Sequence, residues 1–339
     1  MICRIRRIFP ASRSEWDAHW EACDHATFFE SSEWAEIWQQ YTRGAVRPAA
    51  KLVEFSDGAR AVLPFSERVL FRGWVRSYVF APAGTFGGWI SREALTGAHA
   101  RLLASYLSAH PADLLWRINP YTPHLSVAGE SGDPSVTYVL CLDEDFESIL
   151  RRWRRATRRA VGRARSAGVT IERASTEEDW RAYYAAYQDS LRRWGPKATS
   201  RYEWRLFELL FLRGSPRIVL WLARSDGEVV SGALCFYAKR HVVYWHGATK
   251  AESFSLRPVP LLFHDAVLHA SSAGYRWFDF NPSGGHETVD HFKRGFGTEA
   301  LSCPVIRRES ARQRALRRLA RLSHDVNAML SFPRREFHL

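Results

Sequence analysis

The sequence predicts an α/β chain of two similar units in series, each built on a mixed sheet. Three observations carry that expectation. The chain has 339 residues, the length of two domains of roughly 100–200 residues each. Apolar residues make up 46% and charged residues 25%, a globular composition that excludes a disordered or collagen-like chain. The predicted elements run twice through one order of helix, helix, hairpin, strand, helix and strand, a repeat in element order rather than in letters.

The first half opens with helical spacing over residues 13–44, where Trp16, Trp20, Trp34, Ile37, Trp38 and Tyr41 recur at helical intervals. Ser14 stands where a cap belongs, and a break over 27–32 divides the run in two. Ser31 or Ser32 caps the second helix, with Glu33 and Glu36 suited to its first turn. Residues 51–55 and 60–65 read as strands around the turn signal Ser56-Asp57-Gly58. Residues 77–90, SYVFAPAGTFGGWI, are aromatic and rich in glycine. They form either a packed loop beside a ligand, with Tyr78 and Trp89 touching substrate, or plain structural turns. A helix over 94–110 ends before Pro111. Strands over 114–118 and 137–142 enclose a polar surface loop at 128–134.

Residues 143–168 are predicted as one long helix joining the halves, with acidic first turns and Gly168 at its end. Eight arginines lie between Arg151 and Arg165. That face either binds phosphates, as of a tRNA, or is solvated, with arginine stems covering apolar surface. In the second half, residues 169–173 read as a strand, and 177–193 and 200–213 as helices. Strands over 217–223 and 229–238 form a hairpin around Asp226-Gly227. A strand over 241–247, a helix over 258–271, a strand over 276–280, a short helix over 286–292 and a strand over 303–306 follow, then a basic helix from Arg312. The expected organisation is a first domain over 1–142, a linking arginine-rich helix over 143–168, a second domain over 169–310, and a basic C-terminal helix and tail over 311–339.

The net charge of +12 comes from 43 arginines and only 5 lysines. It reads either as a surface for an anionic partner or as the imprint of base composition. Cys3, Cys23, Cys141, Cys235 and Cys303 are scattered, with no CxxC pair and no zinc spacing, so a reducing compartment is expected. No apolar run approaches 18 residues, so no transmembrane helix is expected. These features predict a cytoplasmic protein, with arginines offering peripheral contact at the inner membrane face. Phosphate-loop, dinucleotide, nucleophile-elbow and HExxH patterns are absent.

The residues that could carry chemistry lie in the second half. Tyr244 and His246 share a strand face by period two; His246 is read as a base, a partner for an acceptor group, or a core histidine. Arg257 precedes Pro258 at a helix start, a place that either receives an anion or is a mere cap. Asp279 and Asn281 end a strand within an aromatic run, and a buried acid there needs a partner. Asp279 orients an amine, accepts a proton, or bonds the nearby helix start. Lys293 is a lysine kept where this chain almost always uses arginine, which suits a compact point charge. It holds a phosphate or carboxylate, stabilises an oxyanion with Arg294 beside it, or pairs to fix its loop.

Taken together, ATFFESSEWAEIW at 26–38, the YVFAPAGTFGGW run, YWHGA, RPVPLLFHDAVLHASSAGYRWFDFNPS and HFKRGFG resemble the FemAB-like acyltransferases, the peptidoglycan-bridge aminoacyltransferase group built from GNAT-type folds. The resemblance spans nearly the whole chain. It implies two tandem GNAT-like domains with a cleft between them, and transfer of an acyl group to an amine. Lys293 matches the basic residue of the family's closing FK motif at the substrate channel, and Asp279 the acid in the strand before it. The implied donor is aminoacyl-tRNA or acyl-CoA, with no tightly bound cofactor and no metal. The implied acceptor is a small amine or a peptide or glycan precursor, in cell-envelope, exopolysaccharide or specialised amide synthesis, and the protein is a monomer or homodimer. The glycine-rich pyrophosphate loop of ordinary GNAT enzymes has no counterpart over 249–258. Two other readings stand beside this one: a basic tRNA- or nucleic-acid-binding protein without catalysis, and an inactive scaffold of an envelope-synthesis complex.

Overall fold

The computed structural model describes residues 3–70, 75–110, 112–124, 132–198, 201–310 and 314. The basic helix and tail expected over 311–339 lie outside these residues apart from Arg314, as does most of the 128–134 loop. The chain forms two compact units, Met1–Ser135 with Ser302–Leu339, and Val136–Leu301.

The first unit opens with β1 (Ile5–Pro10), α1 (Arg13–Ala22) and α2 (Ser32–Tyr41). Ser12, rather than the expected Ser14, caps α1, because Glu15 three residues on closes a capping box with it. Ser31 caps α2 through the Trp34 N–H. The indole N–H groups of Trp16 and Trp20 donate to the carbonyls of Glu30 and Thr27, both at 2.8 Å, and so pin the segment between the helices. Then come β2 (Val46–Pro48), β3 (Lys51–Phe55), β4 (Arg60–Leu63), β5 (Ser66–Leu70), β6 (Val75–Val79), β7 (Phe86–Gly87), α3 (Gly97–Ala109) and β8 (Asp113–Ile118). The β3–β4 turn closes on Gly58, whose φ of +92° suits glycine.

The second unit contains β9 (Val136–Cys141), α4 (Phe146–Arg152), α5 (Arg155–Ser166), β10 (Thr170–Arg173), α6 (Glu177–Trp194), α7 (Trp204–Leu212), β11 (Ile218–Ser225), β12 (Glu228–Ala238), β13 (His241–Thr249), α8 (Pro258–Ser272), β14 (Trp277–Pro282), α9 (Glu287–Arg294) and β15 (Glu299–Ser302). Residues 143–168 are two helices, not one. Trp153 turns extended between them (φ −68°, ψ 141°) and is buried against Phe296 and His264. Burying this large ring outweighs the helix propensity of the arginines around it. The strand expected to end the first domain, β9, pairs with β14 in the second unit's sheet.

That sheet has seven strands in the order β10-β11-β12-β13-β14-β9-β15. The β13–β14 pair, joined through α8, is parallel. Helices α5 and α8 pack on one face around Leu261, Phe263, Val267, Phe278 and Phe280. On the other face, α6 lies on β12 and β13, close enough that a Cβ on Gly232 would stand 2.5 Å from the Tyr183 ring.

The chain then returns to the first unit as β16 (Val305–Arg308), antiparallel to β8. This completes a sheet of order β16-β8-β6-β5-β2, with β7 beside β8. A separate antiparallel sheet, β1-β3-β4, stands next to it in the same unit. β6 and β8, joined through α3, are parallel, so each unit contains one strand–helix–strand crossover. The first unit's core gathers Phe55, Phe65, Phe80, Trp89, Leu103 and Trp116.

Candidate active site

In the second unit β13 and β14 are hydrogen-bonded only through His241–Trp277, Val242–Phe278 and Val243–Asp279. Beyond Val243 the two strands part like the prongs of a fork. β13 stays paired to β12 as far as Thr249, but with a register shift: His246 faces Leu234 and Tyr244 faces Cys235, so Trp245 is an extra residue in the ladder. The bulge inverts the alternation after Tyr244. Tyr244 therefore packs toward α8, with its ring 4.8 Å from Phe263. His246 points the other way, among Tyr183 and Tyr187 of α6 and Phe207 of α7. The expected shared face of Tyr244 and His246 is lost to this one residue.

A pocket of about 140 Å³ opens beside the prong of β13, lined by Tyr244, Gly247, Thr249, Ser190, Arg193 and Phe263 among others. Among the described residues the Tyr244 hydroxyl has no hydrogen-bond partner, and burial pushes its pKa upward, so it stays a neutral O–H donor. Gly247 leaves room for it: a Cβ there would lie 2.1 Å from the Tyr244 oxygen. At the rim, Arg193 lies 4.8 Å above the exposed Phe254 ring.

The other prong carries a polar cluster. Asp279 is fully buried. Its Oδ1 accepts from the Thr137 hydroxyl and, at 2.7 Å, from the Asn281 N–H. Asn281 adopts φ +63°, a left-handed conformation that costs on the order of 1 kcal/mol or more outside glycine. Its carbonyl accepts from Lys293 Nζ at 2.6 Å, and Lys293 is only 4% exposed. The Asn281 Oδ1 and the Ser283 hydroxyl are buried without a hydrogen-bond partner. Asp279, Asn281 and Lys293, three of the expected residues, thus meet at the end of β14.

The remaining expected residues lie elsewhere. The Tyr183 hydroxyl is 2.6 Å from His246 Nδ1. Burial holds His246 down to about 3 and raises Tyr183, so the phenol donates and the imidazole is neutral. This histidine is packed and hydrogen-bonded, and Asp279, Asn281 and Lys293 are not among its contacts. Arg257 is exposed, with φ +55°, at the start of α8. Exposed Arg294 lies over the Tyr138 ring, 5.6 Å from its centre. Trp89, 2% exposed, packs on Trp116 as core. Tyr78 belongs to the first unit, against Phe65 and His110. Sequence reasoning passed over Ser283 and the pocket glycines. A glycine inside a strand, as at Gly232 and Gly247, was the available sign of a close approach. Among the described residues one cluster has the composition of a metal site, Cys3, Asp57 and His99. The Thr96 N–H donates to His99 Nδ1, which leaves the proton on Nε2, the nitrogen facing Asp57. The tautomer does not suit an ion.

Residues 149–294 match a family described as an acetyltransferase (GNAT) domain. No curated protein matches the chain. Among solved structures the chain is similar to FemX, with a TM-score of 0.67 at 14% identity, covering 94% of this chain and 99% of that one. It is similar to L-PGS from Bacillus licheniformis, with a TM-score of 0.55 at 12% identity over 97% and 98% of the two chains. It is also similar to the C-terminal domain of a putative lysylphosphatidylglycerol synthetase from Agrobacterium fabrum, with a TM-score of 0.54 at 13% identity over 93% and 97%. The chain has the FemAB/GNAT-type acyltransferase fold, with two mixed-sheet units in tandem, and the acetyltransferase-type domain falls in the second.

Proposed function

We propose that the protein is an acyltransferase whose second unit moves an aminoacyl or acyl group from an activated ester or thioester to an amine, forming an amide. The observation that carries this is the fork. β13 and β14 part just after Val243 and Asp279; Tyr244, the next residue on β13, supplies an unpartnered hydroxyl, and Asn281, two residues on along β14, an unpartnered buried side-chain Oδ1.

In the proposed reaction the acyl group enters the pocket beside Tyr244, and the amine approaches from the β14 side. Asn281 Oδ1 accepts one amine N–H and so orients the nitrogen lone pair. The nitrogen attacks the carbonyl carbon, a C–N bond forms, and the carbonyl oxygen becomes an oxyanion. Tyr244 donates to it, and the Lys293 charge, fixed by the Asn281 carbonyl, favours it. The C–O or C–S bond to the donor then breaks, and the proton lost by the amine goes to the departing alcohol or thiol. Asp279 holds the Asn281 backbone in its left-handed turn and is a positioning residue.

The donor is an aminoacyl ester of tRNA. Two of the first three positions of α8 are Pro258 and Pro260, which have no N–H, so this helix end is poorly made to hold the pyrophosphate of an acyl-CoA. Arg155, Arg158, Arg159 and Arg163 of α5 are exposed and without partners among the described residues, which suits a phosphate backbone. The acceptor is the amine of a peptide or glycan precursor, as the family resemblance implies. Among the described residues no helix is long and apolar enough to cross a membrane, so contact with an envelope precursor at a bilayer would be peripheral.

The test is a single-turnover assay with aminoacyl-tRNA and acyl-CoA offered separately and a panel of amines as acceptors. Amide formation from aminoacyl-tRNA is expected, and formation from acyl-CoA alone would overturn the donor assignment. Tyr244→Phe and Lys293→Ala are each expected to lower turnover about tenfold or more without loss of the folded state. Near-normal turnover in both folded variants would remove the proposed mechanism.

A further inference from the structure

The first unit contains its own cavity, of about 300 Å³, lined by Trp16, Glu36, Lys51, Glu67, Arg76 and Tyr78, with Arg13 at its edge. Pro10, Ala11, Pro48, Ala49 and Ala50 make a small apolar wall, with Ser32 the one further polar lining residue. The size suits a molecule of roughly ten to fifteen non-hydrogen atoms.

The charges of this cavity are almost balanced. Arg13 is paired with Asp17 at 3.1 Å and with Glu36. Glu67, only 9% exposed, is held by Arg47 at 2.9 Å and Arg76 at 3.8 Å. Lys51 is half-buried on β3, between register partners Pro10 and Leu63. Among the described residues it has neither an ion pair nor a hydrogen bond. Its charge is felt on the other side by His110, whose pKa is lowered by burial first and then by Arg308 and Lys51. Three cations therefore face two carboxylates, and the unmatched charge sits on Lys51. Lys51 is thus the charge of this cavity left available to an anionic ligand.

We propose that the first unit binds a small monocarboxylate with an apolar body, its carboxylate on Lys51 and its body between Trp16, Tyr78 and the proline–alanine wall. The surplus of one positive charge fits one carboxylate. A phosphate dianion would leave a negative charge beside Glu36 and Glu67. Lysine rather than arginine suits a point contact with no planar fork to satisfy. Nothing in this assignment depends on the transfer reaction proposed for the second unit.

The test is calorimetric titration of the full chain with 3-phenylpropionate, 3-phenylpropanamide and inorganic phosphate. The carboxylate is expected to bind, the amide about tenfold or more weakly, and phosphate no better than the amide. Lys51→Met should abolish the preference for carboxylate over amide, and Lys51→Arg should restore part of it, with both variants first shown to melt as the parent does. Equal binding of acid and amide, undiminished binding in Lys51→Met, or no binding at millimolar carboxylate would each overturn the proposal. Tighter binding of phosphate than of the carboxylate would overturn the ligand class.

Discussion

Glu30 is completely buried in the first unit, and burial lifts its pKa from 4.5 to about 8. Its carboxyl accepts from the Thr27 N–H at 2.7 Å and from Asn119 Nδ2 at 3.0 Å, yet these donors do not offset the loss of water. The folded pKa lies above the unfolded one. The contribution of this group is therefore fully present below about pH 4.5 and is lost as pH rises toward 8, by up to ~1.4 kcal/mol per pH unit in that window. Glu30→Gln has no proton to lose. Its melting temperature should fall less than that of the parent between pH 5 and pH 8, and parallel profiles would show that Glu30 does not titrate as described. This residue was not legible in the sequence, because its burial depends on Asn119, far along the chain. Asp279 and Lys293 were legible, since a carboxylate set among phenylalanines and a lysine in an arginine-rich chain each demand a partner that can be looked for.

At the scale of the element, the bulge at Trp245 governs the site. It turns Tyr244 to the pocket and His246 into an aromatic cage, and no pattern of letters in HVVYWHGAT marks where the ladder gains a residue. The β3–β4 and β11–β12 hairpins and the α8 crossover, by contrast, followed from turn signals and spacing, whereas β1, β2, β5 and β15 carried no such signal. Two glycines test the arrangement. In Gly247→Ala the new methyl would meet the Tyr244 hydroxyl at 2.1 Å. Tyr244 stands at a pocket and can swing, so the expected result is a loss of turnover of about tenfold or more with little change in melting temperature. In Gly232→Ala the methyl would meet Tyr183 ring carbons at 2.5 and 2.8 Å, and Tyr183 is fully buried. There the fold itself should lose ~1–3 kcal/mol, read by chemical denaturation. A stable, inactive Gly232→Ala beside an unstable, active Gly247→Ala would contradict both assignments.

For the whole molecule, the division into two α/β units was legible from the repeated element order, but their limits were not. Residues 302–310 return to the first unit because β16 supplies the partner β8 lacks, a pairing remote in sequence that local propensity cannot announce. The return is anchored where the Cys303 N–H donates to Ser135 O and the Val305 N–H to Asp133 O, both at 2.9 Å. Val305→Pro removes the second bond and its ladder position. Hydrogen exchange at the Ile118 amide, which donates to Pro304 O, should then accelerate. Unchanged protection there would show that β16 does not hold the β8 edge.

This return has a consequence for synthesis. As the chain leaves the ribosome, β8 with Leu114, Trp116 and Ile118 is complete long before its outer neighbour β16 exists. At about 5–20 residues per second, translating the second unit takes roughly ten to thirty seconds. For that interval the nascent first unit carries an open apolar strand edge, a template for wrong pairing. The cell must shelter that edge, or translate through the second unit quickly, until the last strand arrives to close it.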